Sequence, residues 1–447
     1  MKKSIILLAG AVLLAAAALA SAQAVPGRAG GAGHDGFVSV KDSHFVQHGK
    51  TYYVVGANAW YAAYLGADGA VGDRARLERE LDSLKAIGVN NLRVLAVSEA
   101  SELKHAIRPA TSAGPGQHDE TLLAGLDYLL AALARRDMTV VLYLNNFWQW
   151  SGGMTQYLAW VEGKAPLDPD VSNDWAGYMT KAASFYRNAR AQAAYRATIA
   201  KLVTRVNTVN GVRYLDDPVI LSWQLANEPR PGNLQTTDRQ KRIYRKWIDA
   251  TARFIHQIDP RHMVSSGSEG VIGSGGDARL YARAHASPYV DYLTCHLWPK
   301  TWGWFDPKQA SQSWDKALRM SRSYLDTHIA IARRLRKPLV LEEFGMERDD
   351  GAFGIDAGTA VRDRFYGEVF ALIEGHAQRG DPIGGYNFWG WGGLGRAANS
   401  DFWWLPGDPL TADPPQEQQG LYSVFDSDVS TVALIAASAR RMHALEQ

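Results

Sequence analysis

The sequence predicts an α/β fold: a (β/α)8 barrel with long loops after its strands and a hairpin before the first of them. Three observations predict it. Short apolar runs recur eight times, at 53–57, 91–96, 139–144, 219–225, 263–266, 290–295, 338–343 and 383–388. Amphipathic stretches of helical period lie between most of them, at 74–87, 122–136, 189–207, 239–258, 314–336 and 359–378, and another at 429–445 closes the chain. Eight strands, each followed by a helix, specify a closed parallel barrel with its helices outside. A doubly wound open sheet is the rival. It would carry a phosphate-binding glycine fingerprint after its first strand, and Gly56-Ala57-Asn58-Ala59-Trp60 is not one.

The elements follow in order. Lys2 and Lys3 precede an apolar stretch at 5–20, and Ala22-Gln23-Ala24 is a small-residue cleavage site. Residues 1–24 therefore read as a secretory signal peptide. A membrane anchor is the alternative, but no basic stop follows the stretch, and no later segment is apolar for the length of a span. The expected product is secreted or periplasmic and free of the membrane once the signal is removed. Residues 25–36, rich in Gly and Ala, read as a flexible lead-in, and 37–447 as one catalytic barrel domain. The alternation around Asp42-Ser43 and Gly49-Lys50 predicts a pair of short hairpin strands covering one end of that domain.

Bulk properties exclude several partners. A formal charge of +2, with Lys and Arg scattered, argues against a nucleic-acid groove. The single cysteine, Cys295, cannot form an internal disulfide, so stability must come from the core. In its apolar run Cys295 reads as a buried filler. A monomer is expected.

Three post-strand segments are long: 147–185, 298–313 and 390–428. They are rich in aromatics, and in a barrel such loops build the active face. Eleven of the fifteen tryptophans fall in or beside post-strand loops, among them Trp148, Trp298 and Trp389. Flat rings suit the apolar faces of pyranoses, although some of these must simply pack the loops down.

Two glutamates carry the chemistry. Glu228 lies in Trp-Gln-Leu-Ala-Asn-Glu-Pro-Arg after the fourth run, and Glu343 in Leu-Val-Leu-Glu-Glu-Phe-Gly after the seventh. A carboxylate where a buried strand meets a loop is costly unless matched. Two such groups can face each other across a barrel mouth and supply a proton donor and a nucleophile, the requirement of glycoside hydrolysis. Structural ion pairs with a barrel arginine are the competing reading. Strand pleating points Glu342 away from Glu343, and pattern alone does not say which of the two faces the mouth.

Asn227-Glu228-Pro229 and Glu343-Phe344-Gly345 resemble glycoside hydrolase family 5, and more specifically its β-mannanase branch, subfamily 7. Further matching pieces are Gly56 to Tyr61 with Trp60, Asn91-Leu92-Arg93-Val94, Asn145-Asn146-Phe147-Trp148, Cys295-His296-Leu297-Trp298-Pro299, Asn387-Phe388-Trp389-Gly390-Trp391 and Gln419 to Asp426. The resemblance implies a retaining β-1,4-mannan hydrolase with Glu228 as general acid/base and Glu343 as nucleophile. Arg93 would orient the nucleophile, and Asn227 would bond the sugar 2-hydroxyl. His296 would contact the catalytic centre, and Trp389 would floor the cleavage site. Trp60, Trp148 and Trp298 would also meet substrate. Many relatives carry a tyrosine where this chain has Trp298; an indole donates one hydrogen bond and cannot reproduce the phenol. The implied partner is β-mannan polysaccharide or manno-oligosaccharide, with no metal and no organic cofactor. A β-1,4-glucanase, a non-catalytic carbohydrate-binding barrel and a metal-dependent barrel hydrolase are the alternatives. Whether cleavage is internal or terminal is not legible.

Overall fold

Three antiparallel strands open the fold: β1 (Ser39–Lys41), β2 (His44–Gln47) and β3 (Lys50–Tyr52). The expected two-stranded hairpin is thus a meander. Both connections are two-residue turns, Asp42-Ser43 and His48-Gly49, and all four residues take positive φ, as type I′ turns require. The computed structural model describes residues 36–446, so the expected signal peptide and all but the last residue of the lead-in lie outside it.

The barrel begins with β4 (Val54–Asn58) and β5 (Asn91–Leu95). A small hairpin, β6 (Ser112–Gly114) with β7 (Gln117–His118), decorates the next loop. The sheet continues with β8 (Thr139–Tyr143), β9 (Ile220–Gln224), β10 (Met263–Ser265), β11 (Leu293–Leu297), β12 (Leu339–Phe344) and β13 (Ile383–Phe388). The neighbour order is β10-β9-β8-β5-β4-β13-β12-β11, all parallel. This is the cyclic order of a barrel with a seam between β10 and β11. The seam is spanned by sparse bonds: Asp291 N to Val264 O at 2.8 Å and His296 N to Glu269 O at 2.9 Å.

Helices cover the outside, and their starts are written in the sequence. Asp73, Asp119 and Asp277 cap the helices Arg74–Ala86, Glu120–Ala134 and Ala278–His285, and Thr237 with Gln240 forms a capping box on Asp238–Ile258. The crossover helix Ala278–His285 was not foreseen, because two turns are too short to show a period. The long loops also hold structure of their own. Segment 147–185 contains the helices Gly153–Glu162 and Trp175–Ala183. Past β13, the short pair β14 (Trp391–Gly393) and β15 (Val424–Phe425) ties off the last loop. Inside it the Asp413 carboxylate accepts from Gly420 N, Tyr422 N and Ser423 Oγ.

A second apolar cluster fixes which end is open. Val38, Phe45 and Tyr52 of the meander pack on Val54, Val141, Leu221, Met263, Tyr292 and Val340, all near strand starts. The meander plugs the N-terminal end, so the site must lie at the C-terminal ends of the strands. Cys295 is fully buried in β11, and burial pushes its thiol pKa up, as befits a filler. Among the described residues no helix is long and apolar enough to cross a membrane.

Candidate active site

Just beyond β9 the chain turns into the mouth. Asn227 N donates to Asn145 O at 2.8 Å, and Glu228 N donates to Gly267 O at 2.9 Å, so both residues are held by neighbouring loops. Glu228 itself has φ +49°, a left-handed conformation that non-glycine residues adopt only when their surroundings impose it. Gly267 lets the two segments approach. It has φ +74°, and a Cβ there would stand 1.9 Å from Ala226 O. Gly267→Ala is expected to cost about 1–3 kcal/mol of stability. It should also lower turnover by displacing the segment that carries Glu228; thermal melts and initial rates measure the two effects.

Glu343 reaches the same space from β12. Alternation predicted that Glu342 and Glu343 point to opposite faces, yet both meet Arg93. Arg93 Nη1 lies 2.5 Å from Glu343 Oε1, and Arg93 Nε lies 3.6 Å from Glu342 Oε2. The reason is a slip in the ladder. Leu341 pairs with Cys295 and Glu343 with His296, which leaves Glu342 as the extra residue of a bulge. Glu342 is buried in the barrel interior, where Gln224 Nε2 donates to both its oxygens, and burial pushes its carboxyl pKa up despite the nearby Arg93 charge. Arg93 is fixed on every side. It donates to Gln224 Oε1 (2.9 Å), Asn58 Oδ1 (3.1 Å) and Asn227 Oδ1 (2.7 Å), and it stacks 4.7 Å over the Tyr143 ring.

His296 joins the two carboxylates. It lies within β11, not after it, because the strand starts later than its apolar run. Its Nδ1 is 2.6 Å from Glu228 Oε1 and 3.1 Å from Glu343 Oε2. Burial opposes a charge on the imidazole, but the Glu343 carboxylate and the bonds to Glu228 and Glu343 outweigh it and hold its pKa up at about 10. Burial likewise opposes a charge on Glu228; the bond and charge of His296, with Arg230 and Trp148 behind, bring its carboxyl pKa down to about 2. His296 Nδ1 and Glu228 Oε1 share one proton across this short contact. Ligand atoms of Glu228, His296 and Glu343 all lie within 4.8 Å of one another. The metal-ligand reading of this trio competes with the Arg93 guanidinium on Glu343 and the direct imidazole–carboxylate bonds, which already use these atoms.

Indoles frame the carboxylates. Trp148 Nε1 donates to Glu228 Oε2 at 2.6 Å, and Trp298 Nε1 donates to Glu343 Oε2 at 3.3 Å. Trp298 therefore gives Glu343 the one hydrogen bond an indole can supply. Its ring lies against Trp389 (centroids 5.9 Å apart) and Tyr422 (4.9 Å). Gly345 makes room for it, since a Cβ there would meet the indole at 2.9 Å. Trp60 is placed differently. It is 1 % exposed, its ring meets Trp150, and its Nε1 donates to Ala412 O, so it anchors the last loop. Sequence reasoning did not single out Gln224, Asn58, Arg230 or Glu269. The first two stand inside the quoted motifs, Arg230 ends one of them, and Glu269 has no local signal.

One oxygen of Glu228 and one of Glu343 lie within 4.8 Å of each other at the barrel mouth, close enough for the two carboxyl groups to flank one glycosidic bond. Fold and site together define a glycoside hydrolase of the (β/α)8 class. The model of the glycoside hydrolase family 5 β-mannosidase-like family matches residues 35–447, and the chain belongs to that family. It is similar to a family 5 mannosidase from Rhizomucor miehei, solved also in complex with mannosyl-fructose. Identity is 34% with a TM-score of 0.83, covering 92% of this chain and 98% of that one. It is 28% identical to mannan endo-1,4-β-mannosidase 1 of Oryza sativa subsp. japonica, over 100% of this chain and 94% of that one. The endo-1,4-β-mannanase of Rhizomucor miehei shares the fold, at 21% identity and TM-score 0.64, over 91% of this chain and 99% of that one.

Proposed function

We propose that this hydrolase acts on β-1,4-mannosidic linkages of mannan, glucomannan, galactomannan or their oligosaccharides, with retention, outside the cytoplasm. The carboxylate spacing supports retention, and the names borne by its relatives support mannan. Glu343 attacks the anomeric carbon as the glycosidic bond breaks, and Glu228 delivers the shared proton to the departing oxygen. The result is a glycosyl ester on Glu343. Glu228, again a carboxylate, then takes a proton from water as the water oxygen attacks the same carbon, and Glu343 leaves unchanged. Asn227 has its Oδ1 engaged by Arg93 and one amide hydrogen on Asn146 Oδ1, which leaves the other for the sugar 2-hydroxyl.

A second reading concerns where the chain is cut. The likeness to a family 5 mannosidase that binds the small glycoside mannosyl-fructose supports trimming from a chain end, and the likeness to mannan endo-1,4-β-mannosidases supports internal cleavage. Time-resolved products from mannohexaose test it. Mannose and mannopentaose as the first products support terminal trimming, whereas mannobiose, mannotriose and mannotetraose from the first minutes mean internal cleavage. Reducing-sugar release from mannan with none from carboxymethylcellulose is expected; the reverse would refute the substrate class.

A further inference from the structure

A second carboxylate–cation pair adjoins the Trp148 indole that bonds Glu228. Arg230, two residues on, pairs through Nη2 with Glu269 Oε2, and its guanidinium lies 4.8 Å from the centre of the Trp148 ring. That indole is the one bonded to Glu228 Oε2. Glu269, in the loop after β10, is 2 % exposed. Its other oxygen accepts from Trp302 Nε1 at 3.0 Å. Its backbone carbonyl accepts from His296 N and from Tyr324 Oη, both at 2.9 Å. Glu269 is thus tied to the same strand as His296 and to the helix Ala310–Leu335, and it pairs with Arg230, which lies over the indole bonded to Glu228.

We propose that Glu269 is a positioning residue that, through Arg230, sets how firmly the Glu228–His296 pair holds its proton. An arginine near the pair favours loss of that proton, and a carboxylate paired with that arginine offsets the effect. The groups facing Glu269 and Arg230 support the assignment. From the segment after β9 come Arg230 and Glu228, from β11 His296, from the loop after it the Trp302 indole, and from Ala310–Leu335 Tyr324. Tyr244 of Asp238–Ile258 bonds Pro229 O beside Arg230. Arg230 and His296 are the cations among these groups. Burial raises the Glu269 carboxyl pKa, Arg230 pulls it down and the Glu228 charge raises it, leaving it at about 7.

The inference rests on Glu228 being the acid/base, and the test separates the two. The alkaline limb of kcat/KM against pH reports loss of the shared proton in the free enzyme. In Glu269→Gln that limb should move about one pH unit lower. In Arg230→Met it should move higher, and the double variant should return close to wild type. A merely structural role predicts lower rates at all pH with the limb in place, and a substrate-binding role for Arg230 predicts a change in KM alone; either outcome overturns the proposal. If Glu269→Gln does not fold, Arg230→Met decides the matter, and a limb that fails to rise refutes it. Full activity of Glu228→Ala on natural substrate would instead remove the acid/base assignment itself.

Discussion

Glu343→Ala is expected to lose hydrolysis of manno-oligosaccharides by a factor on the order of 10⁴ or more, while keeping its fold. The size follows from the role. Without the carboxylate no glycosyl ester forms, and the remaining groups can only assist a slow direct attack by water. The loss should be local, because Arg93 keeps its bonds to Gln224, Asn58 and Asn227. Leaving Arg93 without its 2.5 Å partner does unbalance a buried cation, so a lower melting temperature is expected alongside the lost activity. Azide offers a sharper readout. Entering the space vacated by the side chain, it would attack from the face opposite the leaving group and give a glycosyl azide of inverted configuration. Substantial turnover in the variant without azide would remove Glu343 from the role of nucleophile.

Glu228→Ala is expected to show a different pattern. Cleavage of mannan needs a proton on the departing sugar oxygen, so turnover should fall by about 10²–10⁴-fold. An aryl mannoside with a good leaving group needs no such proton, so its first step should survive. The ester would then accumulate, seen as a burst of released phenol followed by slow turnover. Azide should relieve the second step and yield a glycosyl azide of retained configuration. Equal loss on activated and natural substrates would argue that Glu228 serves some other purpose. His296 survives in this variant with one carboxylate neighbour, Glu343, at 3.1 Å.

The barrel was legible because its strands are buried on both sides and therefore appear as apolar runs at regular intervals. The positions of Glu228 and Glu343 at strand ends were legible for the same reason, since an acid stands out against such a run. Glu342 was misread because alternation assumes an unbroken ladder, and the slip between Cys295 and His296 breaks it. His296 was expected past its strand because Val290 to Tyr292 are apolar enough to extend the run backward. Instead, Asp291 bonds across the seam and the ladder begins at Leu293. Trp60 illustrates a different limit. A tryptophan in a motif at the mouth reads the same whether its ring faces a sugar or fastens a loop, and only its contacts with Trp150 and Ala412 tell which. The Arg230–Glu269 pair was out of reach altogether. Its members are 39 residues apart, and Glu269 sits among glycines and serines that carry no period.

The plug of Val38, Phe45 and Tyr52 has a consequence for the order of events. With the far end of the barrel stoppered, traffic to Glu343 passes through the mouth at the C-terminal ends of the strands. On the proposed mechanism the severed sugar and the incoming water must use it in turn, so departure comes before hydration. A product that lingers on the threshold therefore delays the second half of the cycle, and how fast the enzyme resets depends on the grip of the rim as much as on the chemistry below it.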